Sequence, residues 1–330
     1  MFTKGQEFEI AVTDTADAQQ GFGRLADGLA VFVQGPVAVG DRVRVSVTGI
    51  KKNFLQARLV EVLQPSPARV APPCAHFGVC GGCKWQHVNY AEQLRMKRKL
   101  VADALVHLGG FRDPAVADVL PSPRVYQYRN KMEFSFGDRR YLLEEEMGLD
   151  PALLAKPPDY ALGFHAPGRF DRVVDIDLCH LSPNEMNRAL VVGKRFGLQR
   201  GLSVYQTRSH EGVLRNLVVR KAFATGEFMV YLVTSGAERA VVLDLLDQLL
   251  AELGERLTTF VHGVTRRKNT VARGDEHAVL HGPGFIRERL GDLEFKISPD
   301  SFFQTNTEQA ERLYALVLDR AGLRGHEVVH

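Results

Sequence analysis

Leu29-Ala30-Val31-Phe32-Val33-Gln34-Gly35-Pro36-Val37-Ala38-Val39-Gly40-Asp41-Arg42-Val43-Arg44-Val45-Ser46-Val47 decides the fold of the first part of the chain. Its apolar residues recur at every second position, the period of a strand with one buried face. Gly35-Pro36 and Gly40-Asp41 break it with residues whose backbones favour turns. The alternation continues outward on both sides. Phe8, Ile10 and Val12 precede it, Phe54 to Leu63 follow it, and Gly21, Gly23 and Asp27-Gly28 supply further breaks. Four or five short strands in about sixty residues leave no room for helices, so residues 1–64 read as a small OB-like β-barrel. Seven basic and seven acidic residues give this segment a net charge of zero.

Pro65-Ser66-Pro67 and Pro72-Pro73 then form a stiff connector, because each proline fixes its own backbone and restricts the residue before it. A second segment, residues 65–296, follows. It carries a cysteine cluster and a helical stretch from about Tyr90 to Leu108, with Leu94, Val101, Leu105 and Leu108 recurring on one face and Gly109-Gly110 as the stop. Strands are expected at Lys131 to Phe136, Leu217 to Ala222, Phe228 to Thr234 and Leu257 to Val264, with a leucine-rich helix from Arg239 to Leu253. This is a mixed α+β domain. In residues 297–330, Ser298-Pro299-Asp300-Ser301-Phe302-Phe303-Gln304-Thr305-Asn306 reads as a loop and Thr307 as the cap of a helix bearing Ala310, Leu313, Tyr314, Val317, Leu318 and Ala321. Gly322 ends that helix, and Glu327 to Val329 reads as the first buried strand of an α/β sheet. The expected architecture is therefore α/β and multidomain, ending in the start of a Rossmann-like domain that is cut off at His330.

Composition narrows the classes. The chain has 330 residues, of which 45% are hydrophobic and 25% charged, which excludes a disordered tail or a fibrous protein. Lys plus Arg number 42 against 39 Asp plus Glu, so any nucleic-acid surface must be local. Four cysteines are too few for a disulfide scaffold, and Met1 to Gln6 lack the basic and apolar pattern of a signal segment. A reducing cytoplasm is the expected compartment, with no membrane span.

Cys74, Cys80 and Cys83 form C-x5-C-x2-C around Gly81 and Gly82, and Cys179 is the only other cysteine. Four thiolates suit tetrahedral zinc or a four-iron cluster. Zinc sites usually come as two matched short pairs, whereas three clustered cysteines and a remote fourth favour iron and sulfur. A competing reading makes Cys179 a nucleophile beside His180. It is weaker, because adjacent residues on a strand point to opposite faces. Arg95-Met96-Lys97-Arg98-Lys99 places four cations in five residues, which suits either phosphate contacts or a solvated helix face. Arg129, Lys131, Arg266, Arg267 and Lys268 are further phosphate candidates. Trp85 and Phe77 suit shielding of a metal centre, and His76, His165 and His180 read as structural histidines.

The barrel resembles a TRAM domain, an RNA-binding accessory in its family. Cys74 to Gln86, Tyr128-Arg129-Asn130-Lys131-Met132-Glu133-Phe134-Ser135-Phe136, Leu162-Gly163-Phe164-His165 and Ser298 to Asn306 extend the likeness over essentially all of the chain. Together they resemble the RNA uracil-5 methyltransferases, specifically the 23S ribosomal RNA branch with a TRAM domain and a 4Fe-4S cluster. The resemblance implies Cys74, Cys80, Cys83 and Cys179 as cluster ligands and Gln304 as a contact to S-adenosylmethionine beside the target base. It also implies Phe302 as an aromatic wall. The implied reaction is addition of a cysteine thiolate to carbon 6 of a flipped uracil, methyl transfer to carbon 5, and proton removal by a carboxylate. No residue of this chain matches that nucleophile or base, so no catalytic residue is assigned. The expectation is a monomeric fragment that keeps RNA and cluster binding without methylating alone; a standalone RNA-binding protein or interaction module with an iron-sulfur or zinc site is the alternative.

Overall fold

In residues 7–64 the period-two pattern forms six strands in one sheet: β1 (Glu7–Ala11), β2 (Asp14–Thr15), β3 (Gln20–Arg24), β4 (Ala30–Gln34), β5 (Arg42–Ile50) and β6 (Phe54–Gln64). The structure is a computed structural model that describes residues 2–16, 20–268 and 271–328. Strand order is β1-β5-β6-β4-β3-β2, with β4 and β6 parallel and the other pairs antiparallel. Every second side chain, from Ile10 and Val12 through Val31, Val33, Val43, Val45, Leu55 and Ala57, turns inward to make the core. On β3 the inward positions are glycines for a steric reason. A Cβ on Gly21 would meet Val37 at 2.5 Å, and one on Gly23 would meet the Ala11 carbonyl oxygen at 2.4 Å.

The proline-rich connector is clasped to this sheet. The Asp41 carboxylate, with no exposed side-chain surface, accepts from the Ala38 and Ser66 amides at 2.6 and 2.9 Å and from both Nε and Nη2 of Arg69 at 2.8 Å. The first compact unit therefore runs from Met1 to Pro121, connector and cysteine segment included. Its helix α1 (Tyr90–His107) starts at Asn89, whose side chain accepts from the Glu92 amide. The expected apolar stripe does not hold it: Val101 and Leu108 are 52% and 88% exposed. Met96 is the buried residue, packed with Ala38, Val88 and Trp85.

The second unit, Ser122–His330, is a seven-stranded sheet in the order β13-β12-β11-β10-β7-β8-β9. Its strands are β7 (Lys131–Gly137), β8 (Ala161–Ala166), β9 (Arg169–Asp175), β10 (Leu214–Lys221), β11 (Phe228–Thr234), β12 (Thr259–Val264) and β13 (Glu276–His281). Helices α2 (Asn184–Gln199) and α3 (Arg239–Leu253) pack against it and each other, which is why β10 and β11 are buried almost throughout. A separate hairpin, β14 (Ile286–Leu290) and β15 (Leu293–Ile297), leads through the Ser298–Asn306 segment into α4 (Thr307–Ala321).

The expected final sheet is not begun here. Glu327 and Val328 form no strand, because the Glu327 carboxylate accepts from the Arg324 and His326 amides and closes a turn; Val329 and His330 lie outside the described residues. The α/β fold class ending in a cut-off Rossmann-like start is therefore corrected: among the described residues after Ile297, Thr307–Ala321 form a helix that follows the β14–β15 hairpin. Thr307 and Ala310 are its buried residues, while Leu313, Val317 and Leu318 are exposed.

Burial alone would raise the Asp41 carboxyl, but hydrogen bonds from Arg69 and the Ala38 and Ser66 amides outweigh it and hold the group below the usual 3.8. Such a group stabilises the fold above its unfolded pKa, and the contribution is lost as pH falls through the lower folded value. Urea unfolding read by Trp85, the only tryptophan, should show stability dropping below about pH 4. Asp41→Asn should cost about 3 kcal/mol at neutral pH and flatten that dependence; an unchanged slope would contradict the assignment.

Candidate functional site

Ser298 to Asn306 is irregular in backbone but fixed in place. Ser298 and Ser301 close its first turn, with the Ser301 hydroxyl 3.0 Å from the Ser298 amide and 2.8 Å from its hydroxyl. Three buried side chains from the sheet and hairpin then hold its polar groups. Arg220 on β10 donates through Nη2 to the carbonyls of Pro299, at 3.0 Å, and Ser301. Asn130, just before β7, donates its amide to the Thr305 carbonyl at 2.9 Å. Its Nδ2 donates to the Gln304 carbonyl at 2.7 Å and the Thr307 hydroxyl at 2.8 Å. Glu288 on β14, fully buried, accepts from the Thr307 hydroxyl at 3.1 Å and from the Phe223 and Ala224 amides at 2.6 and 2.9 Å. The helix cap is Asn306 rather than Thr307: its Oδ1 accepts from the Gln309 amide at 3.1 Å.

Bracing of the backbone sets which side chains face solvent. Phe303 packs onto Ala222, Met229, Ile286 and Ile297, with the Phe295 ring 5.7 Å away. Its neighbours point the other way: Phe302 is 85% exposed and the Gln304 side chain is also exposed. An apolar ring left in water forgoes about 1.5–3 kcal/mol of burial, so a rigid segment that displays one beside an amide has the form of a recognition surface. Burial lowers the Arg220 pKa, with Glu133 and Asp300 acting against it. The guanidinium remains charged, as arginine does in proteins. Asp300, at the start of the segment, pairs with His277 Nε2 at 3.1 Å and Arg273 Nε at 3.3 Å. Tyr231, 3.0 Å from the same His277 nitrogen, is pushed up to about 12 by burial.

The cysteines are placed unit by unit. Cys74, Cys80 and Cys83 lie in the turn-rich stretch before α1, where Cys80 donates its amide to the His76 carbonyl at 2.9 Å and Phe77 donates to that of Cys74 at 3.1 Å. Cys179 lies between β9 and α2, its backbone held both ways by Asn187, at 2.9 Å to its amide and 3.2 Å to its carbonyl. None of the four is in a disulfide and all are partly accessible. Among the described residues, no group of three or more His, Cys, Asp and Glu is arranged to hold a metal ion. Four thiols, the whole cysteine complement of the chain, are a donor set that suits either tetrahedral zinc or a four-iron cluster.

Other expected residues have local partners. Arg95 pairs with Glu92, Arg98 with Asp118, and Lys99 with Asp14 and Asp103. Phe77 lies against the His87 ring at 5.3 Å. Arg129 donates to the Lys131 carbonyl and Arg267 pairs with Asp275. Sequence reasoning missed Arg220 and Glu288. The signal for Glu288 was available, since period two puts it on the same strand face as Ile286.

Residues 2–60 match the TRAM domain family. A protein of Chlorobaculum tepidum described as an uncharacterized RNA methyltransferase is 46% identical over 329 residues, which are 100% of this chain and 68% of that protein. One of Porphyromonas gingivalis with the same description is 38% identical, over 97% of this chain and 69% of its own length. The crystal structure of Pyrococcus abyssi tRNA (uracil-54, C5)-methyltransferase in complex with S-adenosyl-L-homocysteine matches at a TM-score of 0.66 and 28% identity, covering 94% of this chain and 64% of that one. The chain belongs to the RNA methyltransferase family. It spans about two thirds of the length of these relatives. The likeness covers 94% of the chain, and nothing in these comparisons supports the expectation that the protein is inactive. No helix among the described residues is long and apolar enough to cross a membrane.

Arg220→Met keeps the bulk and removes both donors to the segment. It should destabilise the second unit by about 2 kcal/mol and open the peptide after Phe302 to chymotrypsin, which the wild-type backbone should resist. Equal cleavage of the two proteins would show that Arg220 does not hold the segment.

Proposed function

We propose that this protein takes part in the transfer of a methyl group from S-adenosylmethionine to carbon 5 of a uridine in RNA, with 23S ribosomal RNA as the substrate. The observation that carries the reading is the braced segment that displays Phe302 and Gln304 in a chain of this family. An aromatic ring in water offers a face for a base taken out of its stack. The Gln304 amide, with donor and acceptor side by side, can hold a methyl donor and a base edge in register. Arg220, Asn130 and Glu288 act as positioning residues, since they touch the segment's backbone and cap rather than its exposed face. The thiol nucleophile and carboxylate base of the reaction are assigned to no residue of this chain.

Cys74, Cys80, Cys83 and Cys179 are the proposed ligands of a 4Fe-4S cluster, on the strength of the sequence resemblance and the donor set. A bound cluster supplies folding energy to the cysteine segment, since ligand binding and ordering are one process. The reading also places the protein in the cytoplasm as a monomer.

Two measurements test this. Ultraviolet crosslinking of the protein to 23S ribosomal RNA should join Phe302 to a uridine, and Gln304→Ala should weaken S-adenosylmethionine binding, read by calorimetry, at least roughly tenfold, the scale of one lost hydrogen bond. A crosslink to another base, or to no RNA, would overturn the reading. Anaerobically purified protein should be brown and contain iron, and Cys80→Ser should lose both. Stoichiometric zinc without iron, or unchanged iron in the variant, would contradict the ligand assignment.

A further inference from the structure

Residues 122–130 run from the start of the second unit to β7 without forming a strand or helix of their own. Asn130 alone among them is buried, and Val125 is 37% exposed. A stretch that fully buries no apolar side chain is placed by its hydrogen bonds. Here they alternate between two partners. On one side lies the turn at residues 179–182. The Gln127 amide donates to the His180 carbonyl at 2.9 Å and the Arg129 amide to the Leu181 carbonyl at 3.0 Å, while the Tyr126 and His180 rings meet edge to face with centroids 6.2 Å apart. On the other side lies the segment that displays Phe302 and Gln304. Arg129 forms an antiparallel bridge with Asn306, and the next residue, Asn130, holds the Gln304 and Thr305 carbonyls and the Thr307 hydroxyl. The Ser122 hydroxyl accepts from Asn306 Nδ2 at 3.1 Å, and Arg124 pairs with Glu308 at 2.7 Å.

The turn has an anchor of its own. Asn187, buried on α2, accepts from the Cys179 amide through Oδ1 and donates through Nδ2 to the Cys179 carbonyl, which the Ser182 amide also reaches at 3.1 Å. The carbonyls of Cys179, His180 and Leu181 are therefore all engaged, the first by α2 and the turn, the other two by residues 127 and 129. Gln127 has a φ of 54°, in the left-handed region that a residue with a side chain occupies only when its surroundings fix it there. Its bond to His180 supplies that constraint. The Asn130 carbonyl accepts from the Lys221 amide at 2.9 Å, so the strap is tied to β10 at this end. The rest of its length depends on the turn and on the segment.

We infer that Asn187 is a positioning residue for the exposed segment: by fixing the Cys179 turn it holds the strap of residues 122–130, and the strap holds the backbone from which Phe302 and Gln304 project. The segment's part in methyl transfer rests on the methyltransferase reading; the coupling itself does not depend on what the Cys179 thiol binds. Cys179 is thereby linked, through backbone contacts alone, to the side chains that meet the methyl donor and the base. Such coupling is reciprocal, since a bond lost on either side of a strap with no packed core of its own releases the other side.

The test is amide hydrogen exchange of the full chain. In Asn187→Ala the amides of Cys179, Arg129 and Asn130 should exchange at least roughly fivefold faster than in wild type, the effect of one net hydrogen bond. Arg188→Gln, which breaks the ion pair to Glu252 one residue further along α2, should leave them unchanged. Asn306→Ala cuts the Ser122 bond from the segment side and should speed the Cys179 amide in turn. The second readout is fluorine NMR of protein labelled with 4-fluorophenylalanine, with the Phe302 line assigned by Phe302→Leu. That line should shift and broaden in Asn187→Ala and match wild type in Arg188→Gln. Faster exchange at Cys179 in Asn187→Ala, with the Asn130 amide and the Phe302 line as in wild type, overturns the inference and leaves the methyltransferase reading intact. If Asn187→Ala does not fold, Asn306→Ala decides, and unchanged exchange at Cys179 overturns the inference. A Phe302 crosslink to a base other than uridine would remove the methyltransferase reading without touching the strap.

Discussion

The buried carboxylate of Glu288 is the constraint on which the second unit's exposed segment depends. A charge with no exposed surface is tolerated only when hydrogen bonds replace its water, and the replacements here are two backbone amides and the Thr307 hydroxyl. Thr307 is in turn fixed by Asn130, which also holds the Gln304 and Thr305 carbonyls, and Arg220 does the same for Pro299 and Ser301. The irregular stretch thereby becomes as determined as a strand. Its side-chain directions follow: Phe303 inward, Phe302 and Gln304 outward. Preorganisation of this kind lowers the ordering cost that a binding loop would otherwise incur.

The first unit uses the same device at a different place. Asp41 gathers two amides and one guanidinium, turning a proline-rich connector into part of the barrel's own unit. Beside it, Ala38, Val88, Met96 and Trp85 seat α1. The glycines of β3 let that strand approach so closely that its side-chain chemistry is all on the outside. In both units, buried polar groups set the backbone and free a few large side chains for solvent.

Legibility in the sequence followed the strength of local periodicity. Strands β4 and β5 are readable because their inward valines alternate without exception, and α3 because its leucines recur at helical spacing. The apolar stripe assigned to α1 was misleading: Val101 and Leu108 are exposed and the single buried residue is Met96, which interrupts a run of cations. Long-range partners have no local signature. Nothing near Asn130 in sequence points to Thr307, which is 177 residues away. Gln304 and Phe302 are singled out by motif resemblance alone, whereas nothing local to Arg220 signals its contacts to Pro299 and Ser301. Glu327 to Val329 read as a strand because short acidic-apolar runs fit both a strand start and a closing turn; at Glu327 hydrogen bonds from Arg324 and His326 decide for the turn.

The central claim is that the segment from Pro299 to Thr307 is ordered before any ligand arrives. Hydrogen–deuterium exchange of the full chain, with and without S-adenosylhomocysteine, tests it most directly. The account predicts that the amides of Asn130, Ser301, Phe223 and Ala224 are already protected in the unliganded protein, and that added ligand changes exchange only around Phe302 and Gln304. Fast exchange at those four amides without ligand, with protection appearing only on binding, would contradict it.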